Sequence, residues 1–230
     1  GLNVDAEEAD RLELSLDVYE TVLRTPDLAD WDGFGLVVQA YSKQAPAVLA
    51  WIEAVAKDLG RQIPVRLVKG AYWDAEIKNA QVLGLSSYPV YSRKASTDLS
   101  YLRCARQLLD AEGAIYPQFA THNAHTVAAI LAMAKDKGLE ESNAFEFQRL
   151  HGMGESLHAI VKERSGHRCR IYAPVGIHKD LLAYLVRRLL ENGANSSFVN
   201  QVLDDDVPPA VIAKDPVTLV EGLTAKANPH

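Results

Sequence analysis

The residues best suited to hold an anion lie near the end of the chain, in a segment whose apolar periodicity predicts a helix. Tyr184 lies three residues before Arg187 and four before Arg188, so both arginines neighbour the tyrosine on a helix surface. Guanidinium groups bind a carboxylate through two parallel hydrogen bonds, which makes this trio a candidate clamp for a small acid. Taken by itself, the spacing favours a plainer interpretation, in which both arginines are solvated and Arg187 pairs with Glu191.

A second group of chemically useful side chains lies in the stretch 66–73, which reads RLVKGAYW. Alternation along a strand places Arg66 and Val68 on one face, and Leu67 and Lys69 on the other. An arginine inside a barrel is costly unless it meets a carboxylate or an electron-rich ligand. Lys69 and Gly70 suit a phosphate group, because glycine lets the backbone approach a ligand closely. The alternative is a surface strand whose arginine extends into solvent.

Two histidines with the spacing H-x-x-H, His122 and His125, could contribute to a metal site. No cysteine or carboxylate cluster with ligand spacing surrounds them. We therefore expect no metal, with His122 contacting a ligand at a strand end and His125 on a helix surface. The fingerprints G-x-G-x-x-G and G-x-x-x-x-G-K-[ST] are absent, and after Gly152 and Gly154 it is Leu157 that stands where a third glycine would be. The pattern argues against a Rossmann domain and against a P-loop NTPase.

Secondary structure must position these side chains, and the apolar periodicity predicts strands that alternate with helices. The predicted strands are 2–5, 35–39, 64–69, 115–120, 145–150 and 168–173. The predicted helices are 6–25, 44–59, 74–83, 97–112, 126–137, 155–164 and 181–191, with a short further helix at 195–203. Gly60 is the expected cap of the second helix. Strict alternation predicts a parallel sheet with helical crossovers and strands covered on both faces.

In such sheets, ligands bind at the carboxyl ends of the strands. Each predicted strand is followed by polar or glycine-containing sequence, at Asp5 and at 39–41, 69–72, 121–123, 151–154 and 172–176. We therefore predict one composite site at that edge of the sheet. The alternative is that these segments are ordinary polar loops between strand and helix.

The composition excludes several classes of protein. The chain has 230 residues, 48% of them hydrophobic and 23% charged, as in ordinary globular proteins, and this length allows a single α/β barrel. The net charge of -6 argues against nucleic-acid binding through this chain. The longest apolar run, 127–134, is far shorter than the roughly 20 residues of a membrane-spanning helix, and the start lacks the features of a secretory signal. Cys104 and Cys169 predict buried free thiols in a reducing compartment.

Eight stretches of the chain resemble the proline dehydrogenase domain of bacterial bifunctional proline-utilisation proteins. They read VDAEEADRLELSLDVYE, GFGLVVQAYSKQAP, RLVKGAYWDAEIK, YPVYSRK, IYPQFATHNAHT, FEFQRLHGMGE, RIYAPVG and LLAYLVRRLLENGANSSFV. The resemblance implies a (β/α)8 TIM-like barrel that in this chain lacks the first two βα units. Residues 1–203 would form units 3 to 8, and residues 204–230 a C-terminal tail.

The resemblance also implies an activity and a set of site residues. The activity is the first step of proline catabolism, the FAD-dependent oxidation of L-proline to Δ1-pyrroline-5-carboxylate. A hydride passes from proline C5 to flavin N5, and the electrons pass on to a quinone. Asp5 and Arg66 match the family's active-site acid and the arginine beside the reactive flavin ring. Cofactor contacts match at Ala6, Gln39, Arg66, Val68, Lys69, Gly70, Ala71, Trp73, Thr121, His122, Asn123 and Glu191. The substrate carboxylate would meet Arg187 and Arg188, and the walls around the proline ring would be Leu150, Tyr172 and Tyr184.

The same resemblance implies features of a larger parent protein. It would carry a downstream aldehyde dehydrogenase domain and would be cytoplasmic, with a possible peripheral association with the inner membrane. A lysine of the second missing strand, which joins the two arginines at the substrate carboxylate in relatives, has no counterpart here. Because two missing strands would leave open sheet edges and an exposed lumen, the alternative expectation is an inactive fragment that retains at most ligand or partner binding.

Overall fold

The computed structural model describes residues 1–111, 113–140, 143–193 and 208–223. Within them the strands are β1 Leu2–Val4, β2 Phe34–Gln39, β3 Ile63–Val68, β4 Ile115–Ala120, β5 Glu146–Leu150 and β6 Cys169–Tyr172. The helices are α1 Leu12–Leu23, α2 Ala45–Leu59, α3 Trp73–Val82, α4 Lys94–Asp110, α5 Ala124–Asp136, α6 Glu155–Ser165, α7 His178–Gly193, α8 Pro209–Ile212 and α9 Pro216–Glu221. Short 3-10 turns occupy Ala9–Arg11 and Pro26–Leu28.

The six strands form one parallel sheet in chain order, from β1 to β6. This confirms the prediction of parallel strands with helical crossovers, and Gly60 caps α2 in the left-handed conformation as expected. The first helix begins at Leu12 rather than at residue 6, because the backbone N–H of Ala9 donates to the Glu76 carboxylate at 2.6 Å instead of continuing a helical turn. The predicted helix at 195–203 lies outside the described residues.

The hydrophobic core lies between the helices and the convex face of the sheet. Leu67 and Phe119, from the central strands, are fully buried there with Ile52 of α2 and Ile130 of α5. The hydroxyl of Tyr101 in α4 donates to the carbonyl oxygens of Leu67 and Ala120, at 3.2 Å each. Leaving a buried phenol without a hydrogen-bond partner would destabilise the fold. The two bonds therefore hold α4 beneath the carboxyl ends of β3 and β4.

The sheet is strongly curled, and one hydrogen bond on its concave face demonstrates this. The amide nitrogen of Asn3 in β1 donates to Gln118 Oε1 in β4 at 2.6 Å, although two strands lie between them. In a flat sheet the backbones of these strands would be about 14 Å apart, too far for two short side chains to meet. The concave face is therefore the wall of a half-barrel, and residues from distant strands meet across it.

The last described residues contact the half-barrel. Pro216 is buried, and α9 packs against α4. The side chain of Asp215 caps α9 by accepting the N–H of Val217 at 3.0 Å. Cys104 is a buried free thiol, as predicted, whereas Cys169 is free but only half-buried because it lies on the edge strand β6. Among the described helices, none is long and apolar enough to span a membrane.

Candidate functional site

The carboxyl ends of the six strands meet at one rim of the half-barrel, and α7 crosses this rim. The guanidinium of Arg187, in α7, lies 5.2 Å from the ring centre of Tyr72, which follows β3. The guanidinium of Arg188 lies 4.7 Å from the ring of Tyr184 in the same helix. The contact between α7 and the end of β3 brings the predicted arginine pair to the predicted strand-end residues.

Arg66 lies on the concave face just below this rim. Its Nη2 donates to Asp5 Oδ1 at 2.6 Å, and its guanidinium carbon lies 5.3 Å from the ring centre of Tyr172. The Arg66 side chain is 17% exposed, whereas that of Asp5 is 70% exposed. Arg66 therefore meets both a carboxylate and an electron-rich ring, which excludes the alternative of an arginine extending from a surface strand.

Gln39 connects the loops that follow β1 and β3. Its Nε2 donates to the Glu7 carbonyl at 2.8 Å, and its Oε1 accepts the backbone N–H of Ala71 at 3.2 Å. Ala6, next to Glu7, and Val68, at the end of β3, are both half-buried beside this connection. The amide of Gln39 thus holds the two loops at a fixed separation on the rim.

Lys69 has a partner that the sequence did not indicate. Its ammonium group pairs with Asp98 in α4, and Asp98 also accepts from Lys94 at 2.8 Å. The i,i+4 spacing of Lys94 and Asp98 was readable as a helix pair, but Lys69 is 29 residues away and its contact depends on the fold. Burial would raise the pKa of Asp98, but the charges of the two lysines outweigh it and hold the pKa below its usual range.

Gly70 is required by packing within the chain as well as by any ligand. It adopts φ 138°, and a Cβ at this position would lie 2.5 Å from the ring of Tyr41. A side chain here would both strain the backbone and collide with that ring. From the sequence, we expected Gly70 to let a ligand approach the backbone. The structure shows that the ring of Tyr41 also lies against this glycine.

The ring of His122 is fixed at the end of β4. Its Nε2 accepts the backbone N–H of Leu150 at 3.1 Å, which places the proton of the neutral ring on Nδ1. Burial, followed by the neighbouring charges of His158, Arg149 and Arg188, lowers the pKa of His122 to about 4. His122 is therefore a neutral hydrogen-bond donor at ordinary pH, not a cation.

His158, in α6, supports the same rim and was missed by sequence reasoning. It lies 36 residues from His122, so local spacing gave no signal. Its Nε2 lies 2.9 Å from the carbonyl oxygen of Thr121, and only the N–H form can bond a carbonyl. Gly154 lies between the two rings, where a Cβ would come within 3.1 Å of His122 and 3.4 Å of His158. This packing accounts for the second glycine of the G-M-G motif.

Thr121 and Asn123 are engaged by the backbone that starts α5. The hydroxyl of Thr121 accepts the N–H of Asn123 at 3.2 Å, and Asn123 Oδ1 caps the helix by accepting the N–H of Thr126 at 3.1 Å. His125 is half-buried within α5. In the part of the chain that the structure describes, no three His, Cys, Asp or Glu side chains cluster in a way that could hold a metal.

The remaining predicted residues lie at or next to the ends of β3, β5 and β6 and on α7. Leu150 is buried at the end of β5, and Tyr172 and Tyr184 are half-buried. Trp73 is 42% exposed, and its indole N–H donates to the Tyr91 carbonyl at 2.9 Å. The side chain of Glu191 lies outside the described part of the chain. Tyr72 was not assigned a role from sequence, although its ring holds Arg187.

This rim can bind a small carboxylic acid next to a flat, electron-rich group. Arginines supply charge-assisted donors, and tyrosine and leucine side chains supply apolar walls. Arg187 Nε is buried without a hydrogen-bond partner among the described residues, so a donor at the rim awaits an acceptor. The arrangement suits recognition and orientation, whereas transfer of electrons requires a cofactor.

Comparison with known proteins agrees with this chemistry. PutA, the bifunctional protein of Escherichia coli, is 54% identical over 228 residues, which are 97% of this chain and 17% of that protein. Proline dehydrogenase 1 of Bacillus subtilis is 29% identical over 200 residues, 86% of this chain and 56% of that protein. The chain thus spans about a fifth of the length of the PutA relatives.

Solved structures give the same assignment. A crystal structure of PutA from Bradyrhizobium japonicum superposes with a TM-score of 0.90 and 57% identity, covering 95% of this chain and 22% of that one. PutA from Bdellovibrio bacteriovorus, inactivated by N-propargylglycine, gives 0.89 and 38% identity, covering 96% and 22%. The family model described as proline dehydrogenase matches residues 1–201. The chain belongs to the proline dehydrogenase family.

Proposed function

We propose that this chain forms the site at which L-proline is oxidised to Δ1-pyrroline-5-carboxylate with FAD. The observation that carries the proposal is the meeting of Arg66, Arg187 and Arg188 with tyrosine rings at one rim of the half-barrel. Membership of the family and the names of the relatives support it. Bound FAD would supply the acceptor for the hydride that leaves proline C5.

The residues at the rim fit a flavin dinucleotide. Arg187 Nε, which has no hydrogen-bond partner among the described residues, is a donor available to a ligand, and neutral His122 can donate from Nδ1. The β3 end, from Val68 to Trp73, combines a backbone turn at Gly70 with the cation of Lys69, and suits phosphate and ribityl oxygens. We assign cofactor contact to this segment and to Ala6, Gln39, Thr121, His122, Asn123 and Glu191.

The substrate is held by groups of opposite character. Arg187 and Arg188 would bind the proline carboxylate, because guanidinium forms paired bonds with it. Leu150, Tyr172 and Tyr184 would pack on the methylene carbons and exclude water. Holding the ring in one orientation supplies a large part of the rate enhancement, because C5 then faces the acceptor at a fixed distance.

Arg66 and Asp5 would act on charge during the reaction. Arg66 places a positive charge beside the electron-accepting ring, where it stabilises the negative charge that arrives. Asp5 holds this guanidinium at 2.6 Å, and its own exposed carboxylate faces the rim. We propose that Asp5 orients Arg66 and that the two function as a unit.

We also propose the wider architecture. The curled sheet would be six units of an eight-unit (β/α)8 barrel formed by residues 1–203, with 204–230 as its tail; the free outer sides of β1 and β6 in the described sheet support this. The parent protein would carry an aldehyde dehydrogenase domain and would act in the cytoplasm. The electrons would pass to a quinone. The parent protein would reach this acceptor by associating peripherally with the inner membrane.

The test uses the full-length protein that contains this chain. We expect purified protein to show a flavin absorption band and to reduce an artificial electron acceptor when L-proline is added. In the Arg66→Met variant we expect stopped-flow flavin reduction to slow at least tenfold, the factor that about 1.4 kcal/mol of lost transition-state stabilisation corresponds to.

The matched control is Arg106→Met, which removes an exposed arginine of α4 far from the rim residues. It should reduce flavin at the wild-type rate. Colourless wild-type protein that takes up no added FAD would refute the enzymatic proposal and would leave at most ligand or partner binding for this domain. Normal flavin reduction in Arg66→Met would refute the role of Arg66 alone.

A further inference from the structure

We infer that Asp98 is a positioning residue for the cofactor site, because its carboxylate pairs with the ammonium group of Lys69 at the end of β3. Asp98 belongs to α4, which contributes no residue to the site assigned above. The inference rests on the proposed function, since it assigns the reason why Lys69 is correctly placed for an anionic dinucleotide.

Asp98 lies at the centre of a cluster of three charged residues, with Lys69 and Lys94 on either side. One carboxylate oxygen accepts from Lys69, and the other accepts from Lys94 at 2.8 Å. The Asp98 side chain is only 16% exposed, compared with 29% for Lys69 and 48% for Lys94. The aspartate is therefore the most buried member, and it can hold each lysine through a charge-assisted bond.

Hydrogen bonds fix the backbone at the end of β3, so the position of the Lys69 ammonium group depends on its side-chain rotamer. The Lys69 carbonyl accepts the N–H of Tyr41 at 2.8 Å, and the hydroxyl of Tyr101, three residues beyond Asp98, bonds the Leu67 carbonyl at 3.2 Å. These bonds hold α4 and the end of β3 at a constant separation. A lysine has a flexible four-carbon stem, so the bond to Asp98 restricts the rotamers open to its ammonium group.

A positioning role for Asp98 and a purely electrostatic role predict opposite effects of Asp98→Asn on cofactor affinity. This difference makes the inference testable. The cluster carries two ammonium groups and one carboxylate, a net single positive charge. Asp98→Asn raises this charge by one and should therefore strengthen attraction for a dinucleotide if charge alone matters. If Asp98 acts by ordering Lys69, the same substitution weakens binding, because the ordering cost is then met when the cofactor binds.

The experiment titrates FAD into flavin-free full-length protein and follows flavin fluorescence and the flavin absorption spectrum. We expect Asp98→Asn to weaken FAD binding about tenfold, as for the loss of one well-oriented hydrogen bond, and to alter the spectrum of the bound flavin. Lys94→Gln is the matched control, because it removes the other lysine and leaves the Lys69–Asp98 pair intact. It should change FAD affinity less than about threefold, as expected for a half-exposed charge.

A double-mutant cycle establishes the route of the effect. If Asp98 works through Lys69, Asp98→Asn should have no further effect on FAD affinity in a Lys69→Met background. Should Asp98→Asn give no folded protein, Asp98→Glu takes its place, since it keeps the charge but moves the carboxylate by one methylene. An intermediate loss of affinity is then expected, and wild-type affinity would contradict the inference.

The outcomes separate this inference from the function on which it rests. Wild-type protein that binds no FAD overturns both. Wild-type protein that binds FAD, with an Asp98→Asn variant that binds it equally or more tightly, overturns only the positioning role. A lower melting temperature with unchanged FAD affinity and spectrum identifies a structural ion pair and likewise overturns it.

Discussion

His122 offers a test of the site that needs neither proline nor flavin. In the folded protein its Nε2 accepts the N–H of Leu150, and burial lowers its pKa to about 4 from the 6.5 of an unperturbed histidine. In the open or unfolded chain the ring titrates at its usual pKa of about 6.5. Between these two values only the open state takes up a proton.

The sign and size of the effect follow from this difference. Because the open state binds more protons than the folded state, stability rises with pH across this window. The free energy by which neutral His122 stabilises the folded state is fully retained above about pH 6.5. It falls as the pH drops and is fully lost below about pH 4. The shift corresponds to about 3 kcal/mol, since one pKa unit is about 1.4 kcal/mol. Protonation would also remove the acceptor that His122 Nε2 offers to the N–H of Leu150.

Two exchange measurements on the flavin-free protein test this account. Histidine C2 hydrogen exchange, read by mass spectrometry, should give His122 a titration midpoint near pH 4. Amide exchange in the peptide that contains Leu150 should lose protection between pH 6.5 and pH 4 in the wild type. The His122→Gln variant, which keeps a side-chain acceptor that does not titrate in this range, should not lose it.

The control is His151→Gln, which makes the same substitution at an exposed histidine beside Leu150. It should keep the wild-type dependence of protection on pH. A His122 midpoint at or above 6.5 would show that the ring is solvated and would refute the buried neutral histidine. Equal loss of protection in His122→Gln would show that another group controls this region.

Two further predictions concern the arginines. In the full-length protein, Arg187→Met and Arg188→Met should each raise the proline KM at least tenfold, because a charge-assisted bond to a carboxylate contributes roughly 1.5–3 kcal/mol, while the flavin absorption band stays nearly intact; an unchanged KM in steady-state kinetics would contradict the clamp. Arg170→Met should destabilise the fold by about 1–2 kcal/mol, because Glu146, whose side chain is 2% exposed, would lose bonds of 2.7 and 2.9 Å to an arginine that is 63% exposed, and would keep the bond from Gln148 at 2.7 Å. Thermal denaturation should show recovery in the Arg170→Met, Glu146→Gln double variant, and no recovery would argue against an unpaired buried carboxylate as the cause.

The sequence predicted the strands because their signal is local. Apolar runs bounded by polar or glycine-rich loops identified β1 to β6 within one or two residues, and the same alternation placed Arg66 and Leu67 on opposite faces. The carboxyl ends of these strands were predictable as a shared edge, because parallel strands align their ends. The meeting of Arg66 with Asp5 could be expected only in general terms, as the need of a buried guanidinium for a carboxylate.

The partners within the site could not be read from the sequence, because they depend on curvature. The curl of the sheet decides that Asn3 reaches Gln118 and that Arg66 lies against Tyr172, and no local pattern encodes the curl. The ionic partner of Lys69 depends on the placement of α4, which Tyr101 fixes through two backbone carbonyls. The neutral state of His122 depends first on its burial and then on the charges of His158, Arg149 and Arg188, which only the fold brings near it.

The three arginines of the site each lie close to a tyrosine ring, and Arg66 also donates to the Asp5 carboxylate. For Arg187, the contact with the Tyr72 ring explains how a guanidinium can be held at the rim and still bind an anion. The guanidinium carbon lies 5.3 Å from the Tyr172 ring centre in Arg66, 5.2 Å from that of Tyr72 in Arg187, and 4.7 Å from that of Tyr184 in Arg188. A tyrosine ring attracts the cation through its electron-rich face and carries no charge that would neutralise it.

A carboxylate partner would fix the arginine equally well but would occupy its N–H donors and cancel the charge. For Arg187 the consequence is visible, because its Nε is buried and has no hydrogen-bond partner among the described residues. Tyrosine therefore orients the guanidinium without neutralising it, which leaves the charge and the in-plane donor of Arg187 for a ligand that arrives later.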